Sequence, residues 1–189
     1  RMRIISGKFK GKKILLPKDK LTRPLKDLTK ESIFNIIKHS NLLSVELENS
    51  KVLDLFSGVG SFGLECLSRG SASVTFLESY KEVLSILKKN IDNLKQNNFT
   101  NIIEKDIFKE STLTLLNHKF DIIFMDPPYK EKRLSVLLNM IIKLKLLKAS
   151  GFIIIHRHKK EEDQLPTEFN FIIKKNYGFS KIIFGDILT

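Results

Sequence analysis

Asp126-Pro127-Pro128-Tyr129 follows the apolar run 120–125 and is the stretch of this chain best equipped for chemistry. Two prolines fix the backbone and remove two N–H donors, so the Asp126 carboxylate and nearby carbonyls form a cluster of acceptors with few competing donors. An amino group fits such a cluster, and Tyr129 can stack on the ring that carries it, as proteins do with an unstacked base. The pattern points to a nucleobase amine held at the end of a buried strand. A plain strand-ending turn is the simpler account, since Asp-Pro commonly opens turns. A second constellation upstream weighs against it.

Residues 51–78 scan as strand, glycine turn, helix, strand. Gly58, Gly60 and Gly63 form a G-x-G-x-x-G pattern between an apolar strand at 52–56 and a helical stretch at 61–69, and Glu78 ends the next strand. This is the context that the nucleoside-binding fingerprint requires. The glycines admit a ligand close to the backbone, and a carboxylate at the tip of the second strand can accept two hydrogen bonds from ribose hydroxyls. Both NAD and S-adenosylmethionine (SAM) carry such a ribose. Asp54, near the end of the first strand, favours SAM, because it would repel a pyrophosphate and attract the cationic amino end of a methionine. Phe56, where that strand meets the glycine turn, joins the candidate cofactor contacts. Farther on, Asp106-Ile107-Phe108 offers a carboxylate for an adenine amine and two apolar side chains to sandwich the ring.

The elements that must position these groups are legible as hydrophobic patterns. Apolar strands at 52–56, 101–105, 120–125 and 151–155, with one more ending at Glu78, alternate with helical stretches at 61–69, 80–97 and 131–148. Such alternation predicts an α/β fold with right-handed crossovers and a mostly parallel sheet. Asp54, Glu78, Asp106 and Asp126 all fall at or near the C-terminal ends of strands, the edge where open α/β sheets bind ligands. A helical segment at 28–38 precedes the first strand, with Leu28, Ile33, Ile36 and Ile37 as its apolar face. Two alternating runs at 168–177 and 179–188, joined at Gly178, predict a terminal hairpin. The organisation expected is a basic N-terminal extension over 1–50, part of one compact unit with a catalytic domain over 51–189.

The chain resembles class I SAM-dependent methyltransferases and, more narrowly, the RsmD family. The residues that carry the likeness are Met2 to Lys13, Thr22-Arg23-Pro24, Lys30-Glu31-Ser32-Ile33-Phe34-Asn35, Asp54-Leu55-Phe56-Ser57-Gly58-Val59-Gly60, Gly63-Leu64-Glu65, Leu67-Ser68-Arg69-Gly70 and Asp126-Pro127-Pro128-Tyr129. The glycine and Asp-Pro-Pro-Tyr motifs are shared by many amine methyltransferases, and the first 35 residues single out this family. The resemblance implies a Rossmann-like fold with a seven-stranded sheet closed by the antiparallel hairpin. It also implies SAM as methyl donor and a substrate guanine in small-subunit (16S) ribosomal RNA, methylated on its exocyclic N2. Asp126, Pro127, Pro128 and Tyr129 are then the catalytic set, and Asp54, Phe56, Gly58, Gly60, Glu78, Asp106 and Ile107 bind the cofactor. Two departures stand out: Leu25, Lys26, Leu28 and Lys30 where threonines and arginines are expected, and His156-Arg157-His158 where an acid should follow the fifth strand. Neither is expected to touch the cofactor or amine sites. The same motifs also suit an adenine-N6 methyltransferase on RNA or DNA, and more remotely a non-catalytic RNA-binding protein on this fold.

Composition adds the partner. Net charge is +12 over 189 residues. Residues 1–30 hold eleven Lys or Arg against two Asp, a local charge of +9. This is an electrostatic footprint for a polyanion, and Lys8, Lys10, Lys12, Lys13, Arg23 and Lys30 are the candidate RNA contacts. The bland alternative is compositional drift toward lysine, which would spread the lysines evenly instead of clustering them. Apolar runs fall well short of a membrane span, and lysines interrupt the N-terminus too often for a signal peptide, so a soluble, cytoplasmic protein is expected, acting as a monomer. Cys66 is the single cysteine, and His39, His118, His156 and His158 make no metal site, so no metal is expected. With no thiolate near the base, methylation of carbon 5 of a pyrimidine through a covalent adduct is excluded.

Overall fold

A computed structural model describes residues 2–18 and 24–188. Thr22 and Arg23, the latter a candidate RNA contact, lie outside them. The elements run α1 (Asp27–His39), β1 (Lys51–Leu55), α2 (Ser61–Ser68), β2 (Ser73–Leu77), α3 (Lys81–Asn93), β3 (Thr100–Ile103), α4 (Glu110–Leu113), β4 (Phe120–Met125), α5 (Leu134–Lys143), β5 (Leu147–His158), β6 (Phe169–Tyr177) and β7 (Ser180–Ile187). The strands form one seven-stranded sheet in the order β3-β2-β1-β4-β5-β7-β6. Every pair from β3 to β5 is parallel, and β7 joins β5 and β6 antiparallel, so the expected hairpin closes the sheet.

Helices cover both faces, which is why the central strands read as largely apolar runs, broken by single acids such as Asp54 and Asp121. On one face Val52, Ile122, Phe124, Phe152 and Ile154 pack with Ile33, Phe34, Phe62, Leu64, Leu84 and Leu87 from α1, α2 and α3. On the other, Leu53, Leu55, Ile123, Met125, Ile153 and Ile155 pack with Leu134, Leu137, Leu138 and Ile141 from α5. Every residue of α2 is buried, because the N-terminal arm covers the side that the sheet does not. Arm residues 2–14 fold back on themselves through an antiparallel bridge between Arg3 and Lys13. The arm is tied to α2 by Phe9 N–H donating to Ser68 Oγ at 2.9 Å and to α3 by Leu15 N–H donating to Asn90 Oδ1 at 2.8 Å.

Several element bounds differ from expectation. The stretch 131–148 is not one helix: α5 stops at Lys143, Lys145 turns left-handed at φ 53, and β5 starts at Leu147 beside Phe120. The stretch 80–97 ends early for the same reason, with Lys95 at φ 55. Leu28 is 70% exposed, so it is no part of the buried face of α1. That face instead includes Lys30, one turn before Ile33 and Phe34.

Candidate active site

The parallel register brings the acids together. Asp54 on β1 is level with Phe76 on β2 and Phe124 on β4, so Glu78 and Asp126, two residues beyond those partners, project from the same sheet face past its C-terminal edge. Asp54 is entirely buried. Its Oδ2 accepts the Gly63 N–H at 3.1 Å, while Oδ1 has no partner. Burial pushes this carboxyl well above the ordinary range; the Gly63 bond opposes the shift, and the Asp126 and Glu78 charges add to it. Ser57 Oγ, in the adjoining turn, is a second buried atom without a partner. Unmatched buried polar groups are expensive, and two lie close together here, one at the end of β1 and one in the turn that follows it.

The turn itself depends on glycine. Gly60 caps α2 at φ 89, and a Cβ there would come within 2.5 Å of Leu87 Cδ1. Gly63 lets α2 lie against β2: a Cβ would meet Phe76 Cε1 at 2.4 Å. Glu78 draws the turn toward β2, its Oε1 accepting the Gly58 N–H at 2.8 Å and its Oε2 accepting from Ser79 and Tyr80 at 3.0 and 3.1 Å. Glu78 is therefore a strut as well as an acceptor. Phe56, itself at φ 57, meets Phe108 with ring centroids 5.9 Å apart. Asp106 is exposed, and its Oδ1 accepts the Phe108 N–H at 3.0 Å. The expected sandwich is altered in detail. Ile107 is buried in the α5-side core, and the Arg133 guanidinium sits 3.7 Å over the Phe108 ring, held there by Glu131.

At the Asp-Pro-Pro-Tyr turn, Asp126 is partly exposed, Pro127 is buried, and Pro128 and Tyr129 are exposed. Tyr129 is 56% exposed, and its ring stands at 87° to that of His158 with centroids 5.1 Å apart. The fifth-strand departure does touch this site, contrary to expectation. His156 Nδ1 lies 2.8 Å from Asp126 Oδ1, and Arg157 donates to the carbonyls of Pro128 and Glu131 at 3.3 and 2.7 Å. The physical reason is strand order: β5 is the parallel neighbour of β4, and the register pairs Met125 with Ile155, so the residues that follow each are side by side. The signal in the sequence was the equal position of the two residues, each just past an apolar strand core.

The candidate RNA contacts divide. Lys8, Lys10, Lys12 and Lys13 are exposed on the arm. Lys30 is not available to a phosphate, because its side chain is fully buried. Its Nζ lies 3.3 Å from Glu65 Oε1 and donates to Arg3 O and Ser61 Oγ, both at 3.1 Å. Burial holds this ammonium below its ordinary value, with the neighbouring Glu65 carboxylate acting against that shift. Glu65 also accepts the Ile5 and Ser6 N–H groups and Arg69 Nε, so one buried carboxylate joins the arm, α1 and α2. The spacing of Lys30 from Ile33, Phe34 and Ile37 could have shown it on the inner face.

Taken together, the strand ends offer a desolvated carboxylate for a cation, a second at the next strand tip for hydroxyls, and a third beside an exposed ring for an amine. Residues 2–186 match the family model described as conserved hypothetical protein 95. A ribosomal RNA small subunit methyltransferase D of Buchnera aphidicola is 35% identical over 176 residues, covering 91% of this chain and 86% of the relative. A Bacillus subtilis protein named putative rRNA methyltransferase YlbH is 32% identical over 184 residues, 96% of each chain. The solved structure of a putative methyltransferase, yhhF, from Escherichia coli superposes with TM-score 0.81 at 23% identity, covering 100% of this chain and 98% of that one.

Proposed function

Because this chain belongs to the conserved hypothetical protein 95 family, the RsmD family of the sequence resemblance, we propose that it methylates the exocyclic N2 of a guanine in small-subunit ribosomal RNA with SAM as donor. The observation that carries the reading is the common placement of Asp54, Glu78 and Asp126 on one face of the sheet at its C-terminal edge. The residues present fit SAM. The unpartnered Asp54 Oδ1 suits its cationic methionine end, Glu78 its ribose hydroxyls, and the exposed Asp106 its adenine amine.

Bound SAM supplies an electrophilic methyl on a sulfonium: the new N–C bond forms as C–S breaks, and the electron pair stays on sulfur. An aromatic amine is a poor nucleophile, since its lone pair is delocalised into the ring. Asp126 Oδ2 and the Pro127 carbonyl accept its two hydrogens, turn the lone pair toward the methyl, and stabilise the positive charge that grows on nitrogen. Tyr129 stacks on the guanine and fixes the approach line, and alignment provides most of the rate. The proton leaves afterwards to Asp126 or water. Lys8, Lys10, Lys12 and Lys13 hold the RNA backbone.

The test is a map of methylated nucleotides in ribosomal RNA from cells with and without the gene. One guanine N2 methyl in the small-subunit RNA should vanish and return with the gene. Identical maps would overturn the reading, and loss of an adenine N6 methyl would redirect it.

A further inference from the structure

His156 is a second titratable group at the amine site, bonded at both ends of its ring. Nδ1 lies 2.8 Å from Asp126 Oδ1, and Nε2 lies 2.8 Å from Ser180 Oγ. Three strands arrange this. β5 runs parallel to β4, placing His156 beside Asp126, and antiparallel to β7, where the pairs His156 with Ile182 and His158 with Ser180 carry the Ser180 hydroxyl to the far side of the ring. An ionised Asp126 can only accept, so Nδ1 bears the proton. In a neutral imidazole Nε2 is then the acceptor, and the Ser180 hydroxyl donates to it. The bond uses Oδ1 and leaves Oδ2 for an incoming amine.

We propose that His156 is a positioning residue for methyl transfer: fixed in the Nδ1–H tautomer by Asp126 and anchored at Nε2 by Ser180, its neutral ring orients the Asp126 carboxylate toward the amine, and its protonation switches the site off. The proposal rests on the amine-methyltransferase reading above. The off-switch follows from charge. An imidazolium at 2.8 Å draws the carboxylate into an ion pair and weakens its hold on the positive charge developing on the substrate nitrogen. Burial disfavours the imidazolium; Asp126, from β4, favours it by hydrogen bond and by charge, and Arg157, on the same strand, opposes it. The balance lies above the ordinary histidine value, and the group facing the ring from β7 is the uncharged Ser180. The acidic limb of the rate profile should therefore sit above pH ~6.5.

Three variants separate positioning from mere bridging of β5 to β7. His156→Ala should lower kcat at pH 8 by about 10-fold while KM for SAM stays within about 2-fold. His156→Asn, which keeps an N–H near the place of Nδ1 but does not titrate, should recover most of the rate and flatten the acidic limb. Ser180→Ala should fall between them. In the ligand-free protein, nitrogen NMR should find His156 as the Nδ1–H tautomer, with a pKa that drops in Asp126→Asn. A His156→Ala enzyme with wild-type kcat and an unchanged pH profile would overturn the proposal alone, as would a His156 titration indifferent to Asp126. A wild-type enzyme inert toward RNA would overturn the functional reading, and this proposal with it.

Discussion

Asp54 and Glu65 are both shut completely from solvent within one strand-turn-helix unit, one on β1 and the other on α2, yet their surroundings differ in kind. Glu65 is saturated: Lys30 and Arg69 supply charge, and the Ile5 and Ser6 N–H groups take up the remaining acceptor capacity. Asp54 has one backbone donor and an idle oxygen. Glu65 is compensated from within the chain as a structural carboxylate should be, and Asp54 is left short, as the proposed cofactor contact requires. The cations mirror this, since Lys30 is spent inside the molecule whereas the four arm lysines face outward.

The largest effect should come from breaking the saturated set. Lys30→Ala leaves Glu65 with two backbone donors and the mostly buried Arg69 guanidinium, and should cost roughly 3 kcal/mol of stability in urea titrations. The double variant Lys30→Met with Glu65→Gln removes both charges and should recover part of that loss. If Lys30→Ala were as stable as the wild type but weaker toward RNA, the lysine would belong with the arm group after all.

Next comes Asp126, which stands between the two extremes, with one internal partner and one open side. Asp126→Ala should lower methyl transfer at saturating SAM and RNA by roughly 100-fold, the scale for losing one preorganised polar group, while SAM affinity changes little. Full turnover in this variant would reduce the Asp-Pro-Pro-Tyr segment to a turn.

Asp54→Asn tests the unsaturated acid directly. The amide oxygen keeps the Gly63 bond and the charge is lost, so SAM affinity by calorimetry should fall about 10-fold, as for a charge-assisted contact. Stability should move the other way. Because the folded-state pKa is raised, Asp54 is harmless below its unfolded value of about 3.9, and its contribution is lost as pH rises through the higher folded value. Melts of ligand-free protein should match wild type near pH 3 and exceed it increasingly toward pH 8. A variant equally stable with wild type at both pH values would mean that Asp54 is compensated in the free protein.

Much of this was legible in the chain and some was not, for identifiable reasons. The strand at 120–125 coincides with β4 because helices cover both faces and leave a run that is apolar apart from Asp121. Glu78 and Asp126 could be placed at strand ends because each follows an apolar run, and Asp54 because it interrupts one just before its end. Helix ends at Asn93 and Lys143 were hidden, since Lys95 and Lys145 adopt left-handed backbone where glycine would have announced it. Lys30 was misread as surface because its charge outweighed its position on the Ile33, Phe34, Ile37 stripe. The contact between His156 and Asp126 needed the order of strands across the sheet, which no local pattern encodes.

The smallest effects should come from the outward-facing lysines taken one at a time, and they sharpen the contrast between the two kinds of cation. Lys8 has some aromatic company, with Nζ 5.1 Å from the centre of the Phe9 ring, while Lys10, Lys12 and Lys13 are simply exposed. Among the described residues none of the four makes an ion pair, so Lys12→Gln should melt with the wild type. If each lysine neutralises one phosphate, its loss should weaken RNA binding a few-fold and flatten the slope of log K against log salt by about 0.7, the single-strand value per contact. SAM affinity should stay put, because the arm meets α2 and α3 on the side away from the sheet and carries none of the strand-end acids. An unchanged slope in Lys12→Gln and in each of its neighbours would leave the basic arm as a product of composition, whereas a loss of stability would place these lysines with Lys30 on the structural side of the divide.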